Sequence, residues 1–125
     1  MKVTRMHHVS VNANGTPLEA MVGFYHDVLG LGDLDRPDIP GVPGHWHPVG
    51  DQQLHLVAAP TTGHGIDPSA HHYCVAVEDL DVAIAELEGR GIEYVRAVQG
   101  VDTVQIWILD PAGNIIELQQ DRTVR

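Results

Sequence analysis

Cysteine is nearly absent from this chain of 125 residues, and the single thiol, Cys74, excludes an internal disulfide. A lone cysteine fits a reducing compartment, so we expect a cytoplasmic protein. Basic residues are also scarce, since seven lysines and arginines stand against 17 acidic residues for a formal charge of −10. Nucleic acids and anionic membranes bind basic surfaces, and the composition therefore argues against both as partners.

Long apolar runs are missing as well. No stretch approaches the roughly 20 apolar residues of a membrane span, and the first residues alternate in polarity without the apolar segment of a signal peptide. The apolar fraction of 43% is ordinary for a globular protein. A chain of this length buries about two-thirds of its unfolded surface, so it needs neither a disulfide nor a metal to fold. We expect a single domain over residues 1–125.

The first half of the chain, which we call module 1 (residues 1–60), begins with a strand and a helix. Polar and apolar residues alternate over Arg5–Asn12, which predicts a strand. Thr16 is the predicted N-cap of a helix with Pro17 in its first turn, and Gly30 is its predicted stop.

Module 1 continues with a loop and a hairpin. Three prolines between residues 32 and 44 allow at most a short edge strand there. The segments 45–49 and 52–59 form the predicted hairpin around Gly50 and Asp51. The polar, glycine- and proline-rich stretch 60–70 then reads as a linker.

After the linker the same pattern begins again, in module 2 (residues 71–121). Asp79 is a good N-cap for a second helix, and Asp110-Pro-Ala-Gly-Asn114 is rich in turn-forming residues. The predicted elements are, in order, a strand over 71–77, a helix from Asp79 to Gly89, strands over 92–98 and 101–109, and a final strand from Ile115 to Gln119. We predict that residues 122–125 fray.

Four residues of the types that bind metals recur at equivalent places in the two modules. His8 lies in the first strand of module 1 and His55 in its last strand, 47 residues apart (55 − 8); His72 and Glu117 occupy the same places in module 2, 45 apart (117 − 72). Imidazole is the commonest protein ligand of transition metals. The near-equal spacing indicates an internal repeat of a βαβββ unit, and two such units must pair to bury a sheet face.

The remaining side chains near these positions receive simpler interpretations. The histidines flanking Trp46, His45 and His47, are expected to line a wall or loop rather than bind metal. Four others are expected to be ordinary surface or core residues: His7, His26, His64 and His71. Strand alternation places four more side chains among candidate cleft linings: Gln53, Gln105, Trp107 and Gln119.

The chain resembles the vicinal oxygen chelate superfamily, which includes glyoxalase I, extradiol dioxygenases and bleomycin resistance proteins. The motifs that carry the resemblance are Met6–Val11, Phe24–Leu31, Gln53–Leu56, His72–Leu80 and Asp110–Glu117. The resemblance implies an α+β fold in which two βαβββ modules form a curved mixed sheet around a metal cleft. It also implies that His8, His55, His72 and Glu117 are metal ligands, with His55 standing where glyoxalase I usually has Glu.

The resemblance leaves three functions open. The first is a metal-dependent, glyoxalase-like lyase or isomerase that acts on a small oxygen-chelating substrate through a metal-stabilised enediolate or oxyanion, with Glu117 moving the proton. The second is a non-haem Fe(II) extradiol-type dioxygenase, in which His55 is an acid/base. The third is a metal-free, bleomycin-resistance-like drug-binding protein, which the charge of −10 favours slightly.

The same four residues indicate the cofactor, and the resemblance implies the assembly. Three imidazoles and a carboxylate suit a divalent transition metal such as Zn, Ni, Co, Fe or Mn. Family members of this size commonly form dimers, so the resemblance also implies a homodimer, with the four ligands drawn either from one chain or from two.

Overall fold

The computed structural model describes residues 2, 4, 6–59, 65, 66, 68, 71–99 and 103–122. Predictions for His64, most of the linker 60–70, the turn at Gly100 and the last three residues lie outside this range. The chain divides into two compact units, Met1–Thr62 and Gly63–Arg125. In the described part of the chain, no helix is long and apolar enough to cross a membrane.

Unit 1 is a three-stranded mixed sheet with one helix. Its elements are β1 (His8–Asn12), α1 (Leu18–Asp27), β2 (Gly44–Val49) and β3 (Gln52–Val57). The strand order is β1-β3-β2, with β1 parallel and β2 antiparallel to the central β3. Gly50, with a φ of 60°, makes the tight turn between β2 and β3 that only a residue tolerant of positive φ adopts easily.

Two local predictions for unit 1 need correction. Thr16 is not the N-cap, because Pro17 occupies that position with a ψ of 135°, outside the helical region, and α1 begins one residue later at Leu18. The predicted edge strand after α1 is reduced to a single bridge, in which the N–H of Leu34 donates to the carbonyl of Trp46 at 2.9 Å. The prolines that follow lack the N–H that a longer ladder requires.

Unit 2 is a four-stranded mixed sheet with one helix. Its elements are β4 (His72–Val77), α2 (Leu80–Gly89), β5 (Val95–Gln99), β6 (Thr103–Leu109) and β7 (Ile115–Gln120). The strand order is β4-β7-β6-β5, and β4 again runs parallel to the last strand of its unit. The α+β class and the mixed sheets are therefore confirmed.

The ends of α2 and the turn before β7 are stabilised by local hydrogen bonds. Asp79 Oδ1 accepts the N–H of Val82 at 3.1 Å, which confirms the predicted N-cap. The N–H of Ile92 donates to the Leu87 carbonyl at 2.9 Å, so this residue completes the helix end, and β5 begins at Val95, later than predicted. The buried Asp110 side chain accepts the N–H groups of Ala112 and Asn114, both at 2.9 Å, which aligns the start of β7.

Each sheet has one face covered by its helix and one face that carries polar side chains. In unit 1 the covered face holds Leu54, Leu56 and the side chain of His47, which stacks on Tyr25 of α1 with ring centroids 5.7 Å apart. In unit 2 the covered face holds the buried side chains Ile106, Ile108, Ile116 and Leu118, and α2 contributes the buried Leu80 and Leu87. The opposite faces carry the candidate ligands.

Candidate metal-binding site

In unit 1, His8 and His55 lie together on the polar face of the sheet. Their rings stack with centroids 4.1 Å apart and planes 14° from parallel. Trp46 of β2, directly opposite His55 in the register, stacks on its other side at 4.1 Å and 5°. His55 Nε2 donates to Gln53 Oε1 at 2.8 Å, which leaves Nδ1 of His55 as the nitrogen with a free lone pair. The three stacked rings hold both histidines in a defined orientation.

In unit 2, His72 and Glu117 face each other across neighbouring parallel strands. His72 Nε2 lies 3.3 Å from Glu117 Oε1, and the His72 ring packs edge-on against Trp107 with centroids 4.7 Å apart. Glu117 is only 5% exposed, so its carboxylate is shielded from solvent and needs polar partners.

Two glutamines supply those partners to Glu117. Gln105 Nε2 donates to Glu117 Oε2 at 3.2 Å, and Gln119 Nε2 also donates a short hydrogen bond to the same oxygen. The other carboxylate oxygen of Glu117, Oε1, faces His72. Amide donors on one carboxylate oxygen orient the other oxygen toward the imidazole, as is common around metal-bound carboxylates.

Cys74 also lies on this face, directly opposite Glu117 in the register. Desolvation raises the pKa of the Cys74 thiol to about 12, and the Glu117 carboxylate adds to the increase. A thiol with this pKa is protonated at neutral pH and is a poor nucleophile. We therefore do not assign Cys74 a catalytic role.

The ligand distance in unit 2 agrees with a bound transition metal. Two atoms that bind one metal ion at about 2.0–2.1 Å lie roughly 2.8–3.4 Å apart when the angle between the two bonds is about 90–110°. The separation of His72 Nε2 and Glu117 Oε1 is 3.3 Å. An imidazole nitrogen and a buried carboxylate oxygen are both ordinary ligands for such an ion, so these residues fit the predicted cofactor.

A second group of potential ligands was not expected from the sequence. One ligand atom from each of His26, Asp33, His45 and His47 lies within 4.8 Å of every other. Asp33 Oδ1 pairs with His26 Nε2 at 2.6 Å and with His45 Nε2 at 2.5 Å. These hydrogen bonds, from His45 first and then His26, lower the pKa of Asp33. The expectation that the three histidines only line a wall or a surface is therefore incomplete.

His47 is the buried member of this group, with 0% exposure. Its Nδ1 donates to the Gly32 carbonyl at 2.6 Å, while Nε2 is buried without a hydrogen-bond partner among the described residues. A buried polar atom without a partner costs about 1–3 kcal/mol. Burial also lowers the pKa of His47, although the Gly32 hydrogen bond opposes the change, so the ring is neutral.

The metal-free protein is expected to lose thermal stability as the pH falls below about 6.5, the ordinary histidine pKa. Burial lowers the pKa of His55 and of His47, so the folded chain keeps both rings neutral while the unfolded chain takes up protons. Stability from these groups is complete above the unfolded pKa and declines below it. Melting curves in EDTA at several pH values measure how steeply the melting temperature falls as the pH is lowered. His55→Gln should make this fall less steep.

His71→Gln is the matched control for this experiment, because it removes an exposed histidine that immediately precedes β4. Its melting temperature should show the wild-type dependence on pH. If the melting temperature of His55→Gln falls with pH as steeply as that of the wild type, protonation of His55 does not contribute to acid sensitivity.

Comparisons with known proteins agree with the fold. A sequence profile described as the Glyoxalase/Bleomycin resistance protein/Dioxygenase superfamily matches residues 5–118. Glyoxylase I 4 of Arabidopsis thaliana is 31% identical over 129 aligned residues, which cover 94% of this chain and 71% of that protein.

Two solved structures show the same architecture. A protein from Bacillus anthracis, provisionally described as a glyoxalase family protein, matches with a TM-score of 0.84 and 24% identity over 98% of both chains. Lactoylglutathione lyase from Agrobacterium tumefaciens matches with a TM-score of 0.75 and 20% identity, also over 98% of both chains. At these identities the two matches establish a likeness of fold.

Proposed function

Because this chain belongs to the Glyoxalase/Bleomycin resistance protein/Dioxygenase superfamily, we propose that it is a metal-dependent, glyoxalase-like lyase or isomerase. Its substrate in this proposal is a small molecule with two neighbouring oxygen atoms. The 31% identity to a protein named Glyoxylase I 4 supports this class of chemistry. The structural observation that carries the proposal is the buried Glu117 carboxylate beside His72, at 3.3 Å.

His8, His55, His72 and Glu117 are the residues that would hold the metal, which is Zn, Ni, Co, Fe or Mn in this proposal. When bound, such an ion acts as a Lewis acid that stabilises negative charge on a substrate oxygen. Trp46 supports His55 by stacking at 4.1 Å, and Trp107 supports His72 at 4.7 Å. Both indoles also exclude water from the polar faces on which the ligands lie.

Glu117 is the residue we assign to proton transfer. It is the single carboxylate among the four proposed ligands, and its low exposure disfavours water as a competing proton carrier. Gln105 and Gln119 hold Oε2 by hydrogen bonds and so fix the orientation of the carboxylate that would take a proton from a substrate carbon. The two glutamines are therefore positioning residues.

A dioxygenase is the second candidate, and the hydrogen bond of His55 favours it. His8, His72 and Glu117 form the two-histidine, one-carboxylate set that suffices for non-haem Fe(II). His55 Nε2 is already bonded to Gln53 at 2.8 Å and its ring is fixed between His8 and Trp46, an arrangement that suits an acid/base. In this case His55 would transfer protons and not bind the ion.

An assay of the metal-free protein reconstituted with one ion at a time separates the two candidates. The lyase or isomerase proposal predicts conversion of hemithioacetals with Zn, Ni, Co or Mn and no oxygen consumption. The dioxygenase predicts oxygen uptake and ring cleavage of catechols after anaerobic loading with Fe(II). Catalysis of neither reaction with any of the five metals, in protein shown to bind them, would contradict both.

Glu117→Gln is expected to reduce turnover by roughly 100- to 10,000-fold at saturating metal, the usual effect of removing a positioned acid or base. The measurement is kcat under conditions where metal content equals that of the wild type. Glu86→Gln is the control, because it makes the same change at an exposed site on α2. Wild-type kcat in Glu117→Gln would remove Glu117 from the proton-transfer step.

We also propose that the protein works as a homodimer with a cleft built from polar sheet faces. In the described residues, β1 and β4 are outer strands of their sheets, and unpaired strand edges are normally covered in stable proteins. Membership of the superfamily supports the same assembly.

A further inference from the structure

The ligand group of His26, Asp33, His45 and His47 belongs to one compact unit and is drawn from three of its segments. His26 lies in the last turn of α1, Asp33 in the loop that follows, and His45 and His47 two residues apart on β2. Alternation along β2 therefore points both imidazoles to the same face. The group is held by adjacent elements of unit 1, so its geometry does not depend on unit 2.

This group lies on the opposite face of the sheet from His8 and His55. Trp46, between the two β2 histidines, stacks on His55, so the polar face holds Trp46 and the helix-covered face holds His45 and His47. The ring contact of 5.7 Å between His47 and Tyr25 of α1 places the group on the helix side independently. A metal bound there would be separate from one held by His8 and His55.

The buried nitrogen of His47 is the observation that points to a ligand. Its Nδ1 is committed to the Gly32 carbonyl at 2.6 Å, so the proton is on Nδ1 and Nε2 presents a lone pair. This lone pair is buried and has no partner in the part of the chain that the structure describes. A histidine that donates from one nitrogen to a backbone carbonyl is the usual arrangement of a metal ligand.

We propose that His26, Asp33, His45 and His47 form a second metal site that takes a divalent ion with a preference for nitrogen ligands, Zn²⁺ above all. Three imidazoles and one carboxylate match the four-coordinate sites that zinc forms in proteins. Without the ion, Nε2 of His26 and Nε2 of His45 donate hydrogen bonds to Asp33 Oδ1, at 2.6 and 2.5 Å. Bound zinc takes Nε2 of each ring, and the ring proton then resides on Nδ1.

The site is structural in this proposal. It connects the end of α1, the loop after it and β2, and this loop contains the prolines that prevent regular strand pairing. A tetrahedral ion with four protein ligands, unlike an ion with five or six positions, leaves no open position for substrate and acts by fixing the fold around it. Zinc should therefore raise the melting temperature of the protein through this site.

The test measures zinc bound per chain by equilibrium dialysis with Zn²⁺ alone, in the full-length protein. The wild type should bind two ions per chain, and His45→Ala and Asp33→Asn should each bind one fewer. Both residues are partly exposed, with side-chain exposures of 30% for His45 and 57% for Asp33, so the variants should fold. Circular dichroism of the metal-free variants checks this.

Co²⁺ substitution and a second set of variants separate this site from the one proposed for catalysis. Four-coordinate Co²⁺ absorbs visible light strongly, and the part of this absorption that comes from the second site should be lost in His45→Ala but retained in His72→Ala. Unchanged zinc content in folded His45→Ala and Asp33→Asn would overturn the second site. Unchanged zinc content in His72→Ala would instead count against the proposed catalytic metal, and leave the second site standing.

Discussion

A His72→Ala variant is expected to bind one divalent ion fewer per chain than the wild type. His72 is one of the three proposed ligands common to both metal-dependent functions, and its Nε2 lies 3.3 Å from Glu117 Oε1. The substitution removes one of the four proposed ligands and leaves the buried Glu117 carboxylate without an imidazole beside it, so metal binding should be strongly weakened. Zinc content after equilibrium dialysis against a zinc buffer is the measurement, and the loss should be of one whole ion.

His71→Ala is the matched control for this variant. It deletes a histidine from the adjacent position, which is exposed and precedes the first residue of β4. Neighbouring strand positions point to opposite faces, so this change should leave zinc content unaltered. Equal losses in the two variants would mean that the polar face of β4 does not determine metal binding.

Strand alternation made much of the unit 2 face predictable from sequence. His72 and Cys74 lie on one face of β4, and Glu117 and Gln119 on one face of β7, because side chains alternate along every strand with a period of two. The register of β4, β7 and β6 then brings those residues beside Gln105 and Trp107. Alternation does not say which face the helix covers. In the structure the covered face of β7 is the one that carries the buried Ile116 and Leu118.

The His26, Asp33, His45 and His47 group could not be predicted in the same way. Alternation does place His45 and His47 on one face, and this was the signal available in the sequence. It gives no information on where the end of a helix or an irregular loop will lie, and His26 and Asp33 belong to those segments. Their approach to β2 results from the packing of α1 on the sheet, which is a tertiary contact without a local sequence period.

Two local predictions were wrong, the N-cap of α1 and the start of the strand after α2. Thr16 has the side chain of an N-cap, but the backbone of Pro17 is extended and takes the position itself. The predicted strand over 92–98 begins at Ile92, but the N–H of this residue is used to end α2. At the end of α2, the need of a helix-end carbonyl for a hydrogen-bond donor therefore delayed the start of the strand.

A mixture of two inactive variants is expected to recover one metal site if each cleft draws on two chains. In the proposed homodimer, His8 and His55 of one chain would then face His72 and Glu117 of the other. His8→Ala breaks the unit 1 pair, and Glu117→Ala breaks the unit 2 pair. In the heterodimer one cleft carries both changes, whereas the other combines two unaltered pairs and has all four ligands.

Native mass spectrometry of the co-refolded variants counts the ions in each species. A shared cleft predicts one ion more in the heterodimer than in either homodimer, and any metal held by the His26 group cancels in this comparison because all three species contain it. If all four ligands of a cleft come from one chain, every cleft in the mixture is broken and the three species carry equal metal. Heterodimers that form, as their mass shows, without the additional ion would therefore assign the cleft to a single chain.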